Sequence, residues 1–109
     1  MSNRELDAAG IPDPLMRQSY LACKELNRSY GKTYYLATLL LPPGKRPYVH
    51  ALYGLARYAD EIVDDMELDA SPAQRAELLA AFSDRFFADV AVGSSDDRII
   101  RAVVDTIRR

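Results

Sequence analysis

Apolar residues recur along this chain at helical spacing, in runs separated by Pro, Gly and Ser. Asp13-Pro14 reads as an N-cap followed by proline at the first helical position. From there Leu15, Ala22 and Leu26, with Met16, Cys23 and Tyr30, follow a helical repeat that Gly31 interrupts. A short second helix is predicted over Thr33 to Leu41, closed by Pro42-Pro43-Gly44. Pro47 opens a third helix running to about Glu67 or Leu68. Ser71 and Gln74 form a capping box around Pro72 and start a fourth, with Leu78, Leu79, Phe82, Phe86 and Val90 as its apolar positions. Gly93 to Asp96 reads as a loop. Asp96 or Asp97 then caps a fifth helix carrying Ile99, Ile100, Val103, Val104 and Ile107. No segment alternates as a strand would, and there is no internal repeat. The predicted class is all-α.

The chain has 109 residues, enough for one domain at most. Hydrophobic residues at 49% and charged residues at 28% exclude a disordered chain. The net charge of -2 gives no basic surface for nucleic acid, so no nucleic-acid partner is expected. One cysteine, Cys23, excludes an internal disulfide framework, and one histidine, His50, excludes a paired-histidine metal motif. Met1 to Asp13 is polar and lacks the basic-then-apolar order of a secretory signal. No apolar run, Leu39-Leu40-Leu41 included, approaches the ~20 residues that span a bilayer. The expected location is cytoplasmic. Asn27-Arg28-Ser29 matches a glycosylation acceptor and is discounted for want of a signal.

The third helix carries the candidate chemistry. With Tyr53 at zero on a helical wheel, Arg57 falls at about +40°, Asp60 at about -20° and Asp64 at about +20°. These four form one narrow polar stripe. Leu52, Ala56, Ala59 and Val63 fall between roughly -120° and -60°, so the stripe borders an apolar face expected to be buried. Glu61 and Asp65 lie further round, as outward-facing acids. Asp60 and Asp64 are like charges one turn apart, near a helix C-terminus where the macrodipole disfavours anions. A hard divalent cation would offset that repulsion. Mg²⁺ is typically held by one or two carboxylates, with water and substrate phosphate completing its shell. Arg57 could serve a phosphate oxygen. The same spacing also describes a solvated acidic helix end in which Arg57 pairs with Asp60.

Lys32-Thr33, next to Gly31, could meet phosphate, or could simply start a helix. All seven tyrosines precede Asp60. Aromatic faces stabilise carbocations, but they also pack cores. His50 has no ligand partner at helical spacing, which argues against a di-iron bundle. Cys23 lies on an apolar stripe, as a small core residue.

Taken in order, Tyr30-Gly31-Lys32-Thr33-Tyr34-Tyr35, Leu40-Leu41-Pro42, Ala51-Leu52-Tyr53, Arg57 and Asp60-Glu61-Ile62-Val63-Asp64-Asp65 resemble the squalene/phytoene synthase family, with the bacterial phytoene synthase branch nearest. The resemblance implies an isoprenoid synthase fold and the head-to-head condensation of two geranylgeranyl diphosphate molecules to phytoene. It implies that Asp60 and Asp64 hold Mg²⁺, with Mn²⁺ as a substitute. It places Arg57 at a diphosphate contact, Tyr53 near the carbocation, and Lys32, Thr33 and Tyr34 near the diphosphate and prenyl chain. Gly31 stands where the family usually has serine, and Tyr34 where it usually has phenylalanine.

Such synthases also carry a second aspartate-rich motif. None follows here: Asp84 and Asp89 are five apart, and Asp96-Asp97 sits at a helix start. The expectation is that residues 1–109 are the amino-terminal part of a single helical synthase domain, truncated and inactive alone. Unpaired helix faces would then favour self-association. The family's greasy substrates imply peripheral membrane contact. The alternatives are a squalene or dehydrosqualene synthase of the same family, or a non-catalytic helical interaction module.

Overall fold

The computed structural model describes residues 3–64 and 71–109, with side chains described through 61 and again from 71. The described residues form α1 (Arg4–Ala9), α2 (Pro14–Tyr30), α3 (Lys32–Thr38), a 3-10 turn (Pro43–Lys45), α4 (Arg46–Asp64), α5 (Pro72–Val92) and α6 (Arg98–Arg108). Among them there is no strand, so the all-α class holds. The expected end of the third helix near Glu67 or Leu68 lies outside the described residues.

Local chemistry explains where most helices start. The Asp13 carboxylate accepts from the Met16 amide at 2.8 Å, ahead of Pro14. Ser71 and Gln74 close both halves of the capping box, at 3.2 and 2.8 Å. Asp97, not Asp96, caps α6 through the amides of Ile99 and Ile100. α3 stops at Thr38 rather than reaching Leu41, and the next residues turn into the proline pair.

α2, α4 and α6 make the body of the fold, each packed on the other two. Their common core holds Tyr20, Cys23, Ala51, Ala102 and Val103, joined by Leu6 of α1 and Ile11 just after it. Small residues set the helix spacing. A Cβ on Gly54 would lie 2.9 Å from the Cys23 Sγ and 3.2 Å from the Ile99 Cγ2. Cys23 is fully buried, as its apolar stripe predicts, and burial pushes its thiol up to about 12. α5 buries no residue and touches the body mainly through Phe82 and Phe86; the Phe82 ring stacks on Tyr58 at 5.1 Å.

One expectation is corrected and one helix is added. The polar start of the chain, for which no element is predicted, forms α1, which sends Leu6 into the core and buries Glu5. Its brackets are Asn3, which accepts from the Leu6 amide, and Gly10, whose amide returns to Asp7 and Leu6. On α4 the buried face is Pro47, His50, Ala51 and Gly54, with Leu55 and Tyr58 beside it. Leu52, placed by the wheel on the buried face, is 51% exposed, and Ala56 is exposed too. The helix has two apolar sides, and periodicity alone does not say which one meets a partner.

Candidate functional site

α2 ends at Tyr30 and α3 begins at Lys32, so Gly31 alone forms the corner between them. That corner lies against the middle of α4. The Tyr34 ring sits 5.4 Å from the Tyr53 ring, and the Tyr35 ring stacks on His50 at 5.8 Å. A Cβ on Gly31 would fall 2.6 Å from Cε2 and 2.8 Å from the hydroxyl of Tyr53. A serine therefore does not fit at this corner with Tyr53 where it is.

One turn along α4, the Arg57 guanidinium carbon lies 4.1 Å from the centre of the Tyr30 ring. Its Nε donates to Glu61 at 3.3 Å. The pairing of Arg57 with Asp60, raised by the spacing, is not formed. A rotamer that lays the guanidinium on Tyr30 takes it to the i+4 carboxylate instead. Asp60 is exposed and makes no hydrogen bond or ion pair among the described residues. Asp64 follows one helical turn later; its side chain, and the whole of Asp65, lie outside the described residues.

The structure thus brings Tyr34, Tyr53 and Arg57 together beside the turn that carries Asp60. Lys32 and Thr33 stand at the edge of this group, exposed and without a hydrogen bond or ion pair among the described residues. Tyr30 and Glu61 belong to the group as well. Sequence spacing could have found Glu61, four residues after Arg57, but the Tyr30 contact crosses between helices and leaves no local signal.

The donor set suits a hard cation. Asp60 offers an exposed carboxylate with no partner among the described residues, and Asp64 stands four residues further along the helix, so the sequence supplies the one or two carboxylates that Mg²⁺ usually takes from protein. No cluster of three or more His, Cys, Asp or Glu occurs among the described residues. The rest of such a shell would come from water and substrate phosphate.

Behind α4, a polar network ties α1 to the body. Glu5 accepts from Lys24 at 2.7 Å and from Arg46 at 3.3 Å. Burial raises the Glu5 carboxyl, and these two cations more than reverse that, holding it below the usual carboxylate range. His50 lies beside them, 1% exposed, with Nδ1 3.0 Å from the Asn27 Nδ2. Burial lowers the His50 pKa to about 4, against the opposing pull of Glu5. The ring is therefore neutral. Its Nδ1 accepts from the Asn27 amide, which leaves the proton on Nε2 facing Glu5 at 3.9 Å.

A groove of about 660 Å³ runs between α2, α4 and the start of α6, past Leu21, Leu26, Tyr58, Glu61 and Arg98. Among the described residues, none of the predicted site residues lines it. Among the described residues, no helix is long and apolar enough to cross a membrane.

The squalene/phytoene synthase family matches residues 27–109. The bifunctional protein CrtB/UppS of Streptomyces coelicolor is 33% identical over 92% of this chain and 17% of its own length. The 15-cis-phytoene synthase of Synechococcus elongatus is 32% identical over 86% of this chain and 29% of its own. The chloroplastic phytoene synthase of Daucus carota is 43% identical over 55% of this chain and 15% of its own. The chain therefore spans less than a third of each of these relatives. With a match that runs from the end of α2 through the Asp60 turn to Arg109, the chain belongs to the squalene/phytoene synthase family.

Proposed function

We propose that the full-length protein condenses two molecules of geranylgeranyl diphosphate head to head to give phytoene. The observation that carries this reading is the convergence of Tyr34, Tyr53 and Arg57 beside the Asp60 turn. The relatives' names as phytoene synthases support phytoene over squalene or dehydrosqualene as the product.

In this reading Asp60 and Asp64 are the ligands of Mg²⁺, or of Mn²⁺ in its place. A bound Mg²⁺ supplies Lewis-acid stabilisation of the departing diphosphate oxygens. Arg57 adds a fixed positive charge to the same anion, and Lys32 and Thr33 offer a cation and a hydroxyl at its rim. Loss of diphosphate from the first substrate leaves an allylic cation. The double bond of the second substrate attacks it, and loss of a proton closes a cyclopropane. Departure of the second diphosphate, rearrangement and loss of another proton complete phytoene. Tyr53 and Tyr34 face the cationic carbon with ring electrons, and their packing keeps water from it. Membrane contact through the greasy substrate, and self-association through open helix faces such as Leu52, belong to the same proposal.

The test is binding of a non-hydrolysable prenyl diphosphate to the full-length protein. Affinity that requires Mg²⁺ in the wild type, and no longer responds to Mg²⁺ in the Asp60→Asn, Asp64→Asn double variant, is the expected result. Affinity unchanged by the double substitution sinks the assignment.

A further inference from the structure

We infer that Tyr30 and Glu61 act as a clamp that sets where Arg57 presents its charge. Tyr30 holds the guanidinium in place, and Glu61 competes with the diphosphate for it. This rests on the diphosphate site proposed above and names two positioning residues for it.

The geometry is specific. The Arg57 guanidinium carbon lies over the Tyr30 ring, 4.1 Å from its centre, in a cation–π contact. The guanidinium at the same time donates to Glu61 through Nε at 3.3 Å. A guanidinium stacked on a ring still has donors in its own plane for an oxyanion. Arg57 can therefore exchange Glu61 for a diphosphate oxygen without leaving Tyr30. The side chain is one-third exposed and Glu61 more than half, so the exchange moves groups already in contact with water. Glu61 stands one residue from Asp60 and adds negative charge where an anion would arrive. It opposes binding twice, by pairing with Arg57 and by repelling the ligand.

Substitution separates these roles. Tyr30→Leu keeps an apolar side chain and removes the ring, so Arg57 loses its rest. Tyr30→Phe keeps the ring. Glu61→Gln keeps the shape and removes the competing charge. Tyr30 is 59% exposed and Glu61 is exposed as well, so none of these changes disturbs the core.

The experiment is calorimetric titration of the full-length protein with the thiolo analogue of geranylgeranyl diphosphate in the presence of Mg²⁺, with circular dichroism melts as a fold control. Tyr30→Leu is expected to weaken binding about two- to fivefold, the range of an exposed cation–π contact. Tyr30→Phe is expected to restore it. Glu61→Gln is expected to tighten binding about two- to fivefold, the range of an exposed ion pair. In an Arg57→Gln background the effect of Tyr30→Leu is expected to vanish, since the ring acts only through the cation. Wild-type affinity in Tyr30→Leu, or an unchanged effect of Tyr30→Leu in the Arg57→Gln background, overturns the clamp while leaving the diphosphate site in place. Absence of any binding by the wild type overturns the diphosphate site and the clamp with it.

Discussion

The hydroxyl end of Tyr53 occupies the space that a side chain on Gly31 would need: a Cβ there would lie 2.7 Å from the ring Cζ. The φ of Gly31 is -121°, open to any residue, so the requirement for glycine comes from Tyr53 and not from the backbone. Gly31→Ala is therefore expected to move the end of the Tyr53 ring, a side chain free to swing, rather than to unfold the corner. The melting temperature should stay within about 3 °C, because a lost unfolded-state freedom of about 0.4–1 kcal/mol offsets part of the crowding. Turnover in the full-length protein should fall, since the displaced ring is the one assigned to the carbocation. A melt unchanged together with unchanged turnover would show that the Tyr53 position does not matter to the reaction.

Gly54 presents the opposite case. Its close neighbours are the Sγ and Cβ of Cys23 and the Cγ2 of Ile99, all held where three helices meet. Alanine there gains about 1 kcal/mol of helix propensity but overpacks a closed core, which costs about 1–3 kcal/mol. Gly54→Ala is expected to lower stability by about 1 kcal/mol, read as a lower urea midpoint with an unchanged slope. Gly54→Val should be worse. A midpoint at or above that of the parent would show that α2 and α4 can part without loss.

What the sequence makes legible here is mostly local. Asp13, Ser71 and Asp97 each bond to amides two or three residues ahead, so their caps depend on spacing alone. The motif residues Tyr53, Arg57 and Asp60 share a helix face for the same reason. The network joining Glu5, Lys24, Arg46 and His50 spans up to 45 positions between Glu5 and His50 and leaves no periodic trace. The wheel of α4 shows two apolar sides, yet the choice of Ala51 and Gly54 over Leu52 and Ala56 as the buried side follows from the close approach of Cys23. α1 goes unread: Asn3 and Gly10 bracket it, but six polar-rich residues carry too little periodicity to mark a helix.

Tyr20 is 1% exposed, and its hydroxyl meets the Asp105 carboxylate at 2.6 Å and the Thr106 hydroxyl at 2.9 Å. Burial first, and then the bond to Asp105, raises the phenol well above its ordinary pKa, so it stays a donor throughout the accessible range. Asp105 is also held by Arg109 at 2.8 Å. Tyr20→Phe removes the donor and leaves the carboxylate its arginine, so the loss is expected at about 1–2 kcal/mol rather than that of an orphaned charge. Denaturant unfolding measures it. Combining Tyr20→Phe with Arg109→Gln should cost more than the sum of the two, because the second change strips Asp105 of its remaining partner. Simple additivity would mean that water replaces Tyr20 at the carboxylate.

The pH dependence of stability should report His50. Its pKa is about 4 in the folded chain against an ordinary 6.5, because burial disfavours the charged ring and Lys24 and Arg46 repel it, while Glu5 opposes them. Between those values the unfolded chain binds the proton and the folded chain does not. The stabilisation is therefore complete above pH 6.5 and falls as the pH drops toward 4, by up to about 1.4 kcal/mol per pH unit. Glu5 works in the same direction at lower pH: its carboxyl is held below the usual value, so its contribution is present above about 4.5 and lost below it. His50→Gln keeps an amide that can accept from Asn27 and removes the titration. Its melting temperature is expected to be nearly flat from pH 6.5 to 5, where the parent declines, and then to fall with Glu5. Parallel curves for parent and variant across that window would mean that the His50 ring takes up its proton without leaving the folded chain, through solvent reaching Nε2.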